Sequence, residues 1–320
     1  MPISATNTYN ATQMGIAEDF QDVIYSITPE ETPFLSMAKK LKANNTLHQW
    51  QTDSLAAAAN NRQLEGDDAS FATLAPTTTL NNYCQISRKT VQISGTYDVV
   101  RKYGRKSEVA YQLMKAGKEL KRDMEFALVR NQTSSAGTIA AARSSAGLEN
   151  WISGNRILAV GNTTGSTPAY ANSPTTAMTD GTAVTFIESD LQLALQAAWV
   201  DGGDDQLVMM SATNKNRFNS FAGIATKYNE VKGATQGLTV GAADVYVSNF
   251  GNHTVKLNRY MRDNAVLCLD PEYVGVATLR PIQKEAIAKI GDSERWMLLS
   301  EYCLVVQNPD AHAKVQGVGA

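Results

Sequence analysis

The sequence predicts an α+β fold organised around one long helix, and three observations support this class. Residues 107–132 carry apolar side chains at helical spacing over more than six turns. Two extended runs, 46–53 and 83–99, flank a long polar and alanine-rich excursion. The last quarter of the chain, from residue 244 onward, alternates short apolar runs with turns. One long helix and many short strands together indicate a mixed fold.

The long helix is amphipathic and has a cap signal. Its predicted apolar positions are Val109, Leu113, Gly117, Leu120, Met124 and Leu128. Its predicted polar positions are Lys115, Glu119, Lys121, Arg122 and Glu125. Ser107 is placed to cap the helix, with Glu108 in the first turn beside the positive end of the helix dipole. At about 1.5 Å per residue the element spans roughly 39 Å, which predicts a backbone for the whole fold.

Composition describes an ordinary globular chain of 320 residues, 43% hydrophobic and 19% charged, long enough for two lobes. The net charge of −2 argues against a dedicated polyanion binder. Charge is uneven, because residues 87–132 hold 11 basic and 5 acidic side chains, whereas residues 133–210 hold 2 and 7. Two interpretations stay open: complementary contacts between copies, or two solvated faces of one molecule.

Cysteine usage and the absence of targeting patterns bear on location. Cys84, Cys268 and Cys303 are odd in number and lie in apolar or strand-like runs, which predicts buried thiols in a reducing compartment. No apolar stretch is long enough to span a bilayer, and residues 1–15 lack the layout of a secretion signal. We therefore predict no membrane partner.

The first hundred residues divide into an arm and a flap. Residues 1–41 form an arm with a polar tip, an apolar-periodic piece at 16–27 and a helix start marked by Pro29 and Pro33. Residues 54–82 form a long excursion between two strands. Loops of this length are uncommon in compact domains unless they bind something, so we expect a contact function.

The second half of the chain has the pattern of a mixed α/β lobe. Residues 161–181 have the composition of a surface loop, and residues 187–199 are an amphipathic helix that stops at DGGDD. Residues 206–210 predict a buried strand leading into a helix capped by Ser211 or Thr213. The apolar run at 296–318 is long enough to return to the core beneath the long helix.

Four strings in this order carry a family resemblance: IAEDFQDVIYSITPEETPFLSMAKK, HQWQTDSLAAAANNRQLEGDDA, RKTVQISGTYDVVRKYGRKSEVAYQLMKAGKELKRDMEFALVRNQ and ARSSAGLENWI. With them the chain resembles the major capsid proteins of tailed bacteriophages, in particular a podovirus-like subfamily. The resemblance is close over residues 16–154 and extends to the rest by layout. It implies the HK97-type fold, with an N-terminal arm, an extended E-loop, a P-domain with a long spine helix and an A-domain.

The resemblance assigns a role to each region. The implied divisions are an N-terminal arm (1–41), the E-loop with its flanking strands (42–100), the P-domain (101–154) with its spine helix (107–132), the A-domain (155–279) and strands returning to the P-domain (280–320).

Chemistry-bearing motifs are absent from the sequence. His48, His253 and His312 have no ligand-spaced partners, and neither a phosphate-binding GxxxxGK[ST] loop nor a GxSxG nucleophile turn occurs. We therefore predict no catalytic residues, no cofactor and no metal site, and no enzyme. The basic clusters lack a series of interleaved aromatic stacking platforms, which predicts loose, salt-sensitive DNA contact rather than sequence reading. They comprise Lys39, Lys40 and Lys42, and Arg101, Lys102, Arg105 and Lys106.

The resemblance implies a virion shell protein assembled in the host cytoplasm as hexamers and pentamers around double-stranded DNA. A cellular nanocompartment shell of the same fold is the alternative, and a hydrolase or other enzyme of the α/β class is a third hypothesis without supporting residues. Implied partners are a portal protein, a separate scaffolding protein and cement proteins. The separate scaffold is expected because Met1 is followed by about fifteen polar residues without a heptad pattern. We predict inter-subunit ion pairs at Arg62, Glu65, Asp67 and Asp68 in the flap.

Overall fold

The computed structural model describes residues 30–66, 68, 71, 73–74, 76–204, 207–221 and 244–319. Within these ranges the α-helices are α1 (Pro33–Met37), α2 (Gly95–Val99), α3 (Glu108–Val129), α4 (Leu148–Trp151), α5 (Glu188–Val200) and α6 (Ala212–Asn219). The strands are β1 (Lys39–Lys42), β2 (Leu47–Thr52), β3 (Thr78–Tyr83), β4 (Gln85–Ser94), β5 (Arg156–Leu158), β6 (Leu207–Met210), β7 (Val245–Ser248), β8 (Gly251–Leu257), β9 (Ala265–Leu269), β10 (Val274–Ile287), β11 (Ser293–Val306) and β12 (Ala313–Gln316). The predicted apolar piece at 16–27 lies outside the described residues.

The strands form three sheets. A four-stranded sheet has the order β1-β10-β11-β4, with β1 parallel to β10 and the other pairs antiparallel. A mixed six-stranded sheet has the order β5-β12-β9-β6-β8-β7. Strands β2 and β3 form a separate two-stranded sheet, an antiparallel hairpin. The lysine-rich β1 forms an edge of the four-stranded sheet, where lysines discourage further strand pairing.

Successive side chains of the six-stranded sheet point to opposite faces and pack into two separate hydrophobic cores. Leu207, Met209 and Leu267 face a first core shared with α3, α1 and one face of the four-stranded sheet. Their neighbours Val208 and Val266 face a second core beneath α5. The six-stranded sheet is therefore buried on both faces, which explains why β6 and β9 are continuous apolar runs.

Helix α3 confirms the predicted spine. It begins at Glu108, and the side chain of Ser107 accepts a hydrogen bond from the Ala110 backbone N–H. Leu120, Met124 and Leu128 lie in the first core, as predicted. The run at 296–318 also returns there, because Tyr302, Leu304 and Val306 of β11 share this core with α3.

Two local predictions are wrong. The extended run predicted to continue to residue 99 ends at Ser94, and Gly95–Val99 turn into helix α2. The Asp98 carboxylate accepts a hydrogen bond from the Glu108 backbone N–H, so this turn supports the start of the spine helix. Glu125, predicted on the polar face of the helix, has no exposed surface.

Other local predictions are confirmed. The helix of 187–199 is α5, with bounds Glu188–Val200, and β6 leads into α6, where the Ser211 hydroxyl accepts a hydrogen bond from the Asn214 N–H. All three cysteines have no exposed surface. Among the described residues, no helix combines the length and apolar character needed to cross a bilayer.

The divisions between domains stay predictions. The division at 279/280 falls inside β10, and β12, from the last predicted region, pairs with β5 and β9 in the six-stranded sheet. The C-terminal segment thus contributes β11 to the four-stranded sheet and β12 to the six-stranded sheet.

Candidate assembly surface

The flap, residues 47–83, consists of an ordered hairpin foot and a long connection. At the foot, Leu47 pairs with Tyr83 and Thr52 with Thr78. The Trp50 ring packs on Trp151 with a centroid separation of 5.4 Å. These contacts fix where the flap leaves the molecule.

Asn82 anchors the foot through its buried side chain. Its amide nitrogen donates to the Leu304 carbonyl oxygen at 2.8 Å, and its amide oxygen accepts from the Ala146 N–H at 2.9 Å. Asn82 has no exposed surface, so both bonds form in a water-poor setting where leaving a partner unpaired is costly. The foot is therefore tied both to β11 and to the segment before α4.

The connection between the two flap strands exposes its large apolar side chains. Leu55 is 99% exposed, Leu64 80%, Phe71 97% and Leu74 92%. Single exposed apolar residues are normal on protein surfaces, but four on one projecting segment indicate a surface that a partner covers.

The predicted contact residues lie on the same segment. Arg62, Glu65 and Asp68 are exposed, and none of them takes part in an ion pair within the described part of the chain. Asp67 lies outside the described residues. The geometry leaves these charges facing solvent, and their pairing with another subunit stays a prediction.

The arm is attached to the spine helix by Glu125. Its carboxylate accepts hydrogen bonds from the Phe34 and Leu35 N–H groups, both at 2.8 Å, and from the Asn258 side chain at 2.7 Å. Thr32 makes no side-chain cap, so Glu125 caps α1 from a distant part of the chain. Burial raises the pKa of Glu125, against the effect of these hydrogen bonds.

A largely buried charge cluster joins the 161–181 loop to α4 and β12. The Arg262 guanidinium contacts the carboxylates of Glu149 and Asp180, with a distance of 2.6 Å from Nη1 to Asp180 Oδ2. Nearby, the Lys314 Nζ donates to the Glu149 carbonyl oxygen at 2.7 Å and to Thr167 Oγ1 at 2.9 Å. Burial lowers the pKa of Lys314 to about 7, while the charge of Glu149 opposes the shift.

Sequence reasoning missed Glu125 and this cluster. Glu149 lies in ARSSAGLENWI and Lys314 in the short strand AKVQ, and neither mixed sequence predicts that its charged side chain is buried. The histidines are packing residues where buried: His312 has no exposed surface and His253 is 2% exposed. Among the described residues, no group of three or more potential metal ligands is present.

The comparisons with known proteins agree with this arrangement. The model of the family described as SU10 major capsid protein matches residues 3–319. The chain belongs to the SU10 major capsid protein family. A major capsid protein of Escherichia phage Phieco32 is 42% identical over 121 residues, or 38% of this chain. That match spans 34% of the relative's length, so about a third of the curated relative is covered.

Solved structures of low sequence identity share the fold. The capsid of a native GTA particle is 12% identical with a TM-score of 0.63, covering 98% of this chain and 100% of that one. A protein of Mycobacterium phage Adephagia is 9% identical with a TM-score of 0.60, covering 94% of each chain. An encapsulin complex from Synechococcus elongatus is 10% identical with a TM-score of 0.56, covering 95% of this chain and 93% of that one. The predicted HK97-type α+β fold is confirmed.

Proposed function

We propose that this chain is the shell-forming subunit of a tailed-phage head, in which hexamers and pentamers enclose double-stranded DNA. The observation that carries the proposal is the flap of a major capsid family member, anchored at its foot and apolar where it projects. The fold provides a rigid foot, and the exposed segment provides the contact surface. Assembly takes place in the host cytoplasm, and the product is the capsid of the virion.

The exposed apolar side chains give the association its driving force. Covering one Leu or Phe side chain contributes about 1.5–3 kcal/mol, before the cost of ordering the segment. Each subunit in a closed shell makes several such contacts, so modest individual interfaces are multiplied. Ion pairs at Arg62, Glu65 and Asp68 then determine how neighbouring subunits are aligned more than how tightly they bind.

No catalytic step is part of this proposal. Membership of a family of structural capsid proteins supports that view. The alternative, a nanocompartment shell, shares the fold with the encapsulin neighbour. The 42% identity to a phage major capsid protein favours the phage head.

The remaining partners follow from the family resemblance. A portal protein, a separate scaffolding protein and cement proteins complete the proposed head. Basic side chains give loose contact with packaged DNA, and weakly specified curvature calls for a scaffold.

Expression of the chain with and without a candidate scaffolding protein, followed by electron microscopy, tests the proposal. We expect capsomers, tubes or misshapen shells from the lone chain and uniform heads from co-expression. Small closed shells filled with protein cargo would support the nanocompartment instead. Compact monomers under every condition would overturn both.

A further inference from the structure

Two buried cysteines meet where the flap leaves the four-stranded sheet. Cys84 lies between β3 and β4, and Cys303 lies in β11. Neither has any exposed surface, and both belong to a small apolar cluster with Ala277 and Val305. The two thiols are neighbours in this cluster, and the Cys84 thiol donates a hydrogen bond to the Asn45 carbonyl oxygen at 3.5 Å.

The strand register sets the two thiols opposite one another. Strand β4 pairs antiparallel with β11, and its last pair joins Gln85 to Tyr302. One further step in this register brings Cys84 opposite Cys303. The Cys84 N–H donates to the Thr46 carbonyl at 2.7 Å, and so points away from β11.

A pair of this kind has the spacing that a disulfide needs. Opposite residues that do not exchange backbone hydrogen bonds have Cα atoms about 4.5 Å apart in an antiparallel ladder. Disulfides span Cα separations of about 4.4–6.8 Å. The backbone therefore does not have to move far to allow an S–S bond.

We propose that Cys84 and Cys303 form a modification site, at which a peroxide converts the two thiols into an intrachain disulfide that fixes the flap foot to β11. The disulfide would persist in an oxidising medium, and the thiols in a reducing one. This disulfide would form within the folded subunit and does not depend on shell assembly.

The reaction balances with hydrogen peroxide as the oxidant. The neighbouring Cys303 thiol lowers the pKa of Cys84, which favours Cys84 as the attacking thiolate. Its sulfur bonds to one peroxide oxygen, the O–O bond breaks, and the departing hydroxide takes the thiol proton, giving a sulfenic acid and water.

The second step closes the disulfide. The Cys303 sulfur attacks the sulfenic sulfur and displaces hydroxide, which leaves with the Cys303 proton as a second water. Overall, two thiols and one peroxide give one disulfide and two waters, and the two sulfurs together lose two electrons. Peroxide is close to water in size, so it reaches a packed site more readily than a bulky disulfide reagent does.

Peroxide treatment of the purified full-length chain, followed by denaturation, alkylation and non-reducing peptide mapping, tests the proposal. We expect a linked peptide pair containing Cys84 and Cys303, a mass lower by two hydrogens, and Cys268 still open to alkylation. The variants Cys84→Ala and Cys303→Ala should each abolish the linked pair. Cys268 lies in the second core, so Cys268→Ala is the matched control and should retain the linked peptide pair.

Two results would overturn the inference. One is full alkylation of both thiols at a peroxide dose that oxidises exposed methionines, such as Met114, which is 56% exposed. The other is separate oxidation of Cys84 or Cys303 to sulfinic acid without a linked peptide.

Discussion

Glu125 shows how single polar residues connect distant parts of this chain. A carboxylate without exposed surface normally costs stability, but here three donors from two other segments saturate it. The residue thereby turns a five-residue helix without its own cap into a fixed part of the core. Phe34 of that helix is fully buried as a result.

Replacing Glu125 with Ala should destabilise the subunit. The substitution leaves two buried backbone N–H groups and the Asn258 amide without their acceptor, which costs about 2–4 kcal/mol in the free energy of unfolding. Chemical denaturation measures the change. Glu119→Ala, on the outer side of the same helix, is the control and should shift stability by less than about 0.5 kcal/mol. Equal effects of the two substitutions would contradict the capping role.

The lowered pKa of Lys314 predicts that the free energy of unfolding depends on pH above neutrality. Its pKa of about 7 in the folded state lies below the unfolded value, mainly through burial. At Lys314 the unfolded state therefore binds more protons between about pH 7 and 10, and the contribution of this residue to stability rises with pH across this window. The charges facing it are those of Glu149, Arg156, Arg262 and Asp180.

In the variant Lys314→Met, the free energy of unfolding should increase less with pH than in the wild type, whatever the stability of the variant at any one pH. Denaturation at several pH values between 7 and 10 measures the slope. The exposed Lys256→Met is the matched control and should keep the wild-type slope. A wild-type slope in Lys314→Met would contradict the assignment.

At the scale of elements, regular patterns predicted most of the structure. The 3.6-residue period identified α3 to within a few residues at each end, and two extended runs identified the hairpin of β2 and β3. Helix α2 was missed because its start depends on a contact between the Gly95 N–H and the Asp292 carbonyl, far away in sequence. Burial of Glu125 was missed for the same reason, since its partners lie outside the helix.

The flap should be the first segment cut by chymotrypsin in dissociated subunits. Leu64, Phe71 and Leu74 are exposed there and accessible to the protease. The 161–181 loop serves as the internal control. Its Tyr170 donates a hydrogen bond to the Trp151 carbonyl at 2.5 Å, and Asn162 holds the Asp180 carbonyl at 2.7 Å. Mass spectrometry of timed samples should show flap fragments first in subunits and protected flaps in shells. The same flap cleavage rate in both states would count against coverage by a neighbour.

Charge reversal in the flap distinguishes an effect on contacts between subunits from an effect on the folding of one subunit. Glu65→Lys combined with Asp68→Lys should lower the melting temperature of shells and leave the unfolding of isolated subunits unchanged, because both side chains are exposed. Each exposed ion pair contributes less than about 1 kcal/mol, and the effect accumulates over many copies. Calorimetry of shells and subunits measures both quantities. An unchanged shell transition would remove these residues from the interface.

At the scale of the whole molecule, the fold joins a rigid body to a projecting contact segment. The two large sheets share the first core with the spine helix, and the charge cluster around Arg262 and Lys314 holds the 161–181 loop against α4 and the six-stranded sheet. The family resemblance predicted a folded body with a long projecting loop from the sequence alone. The buried polar clusters could be identified only from the three-dimensional structure. Long-range polar contacts leave no periodic trace in a sequence.

A cryo-electron microscopy reconstruction of assembled particles would show directly whether this chain builds a capsid through its flaps. We expect an icosahedral shell of this chain in rings of six and five, with the flap of each subunit covered by a neighbour and Leu55, Leu64, Phe71 and Leu74 buried in that contact. A closed shell whose flaps project freely into solvent, or a particle without such rings, would contradict this expectation.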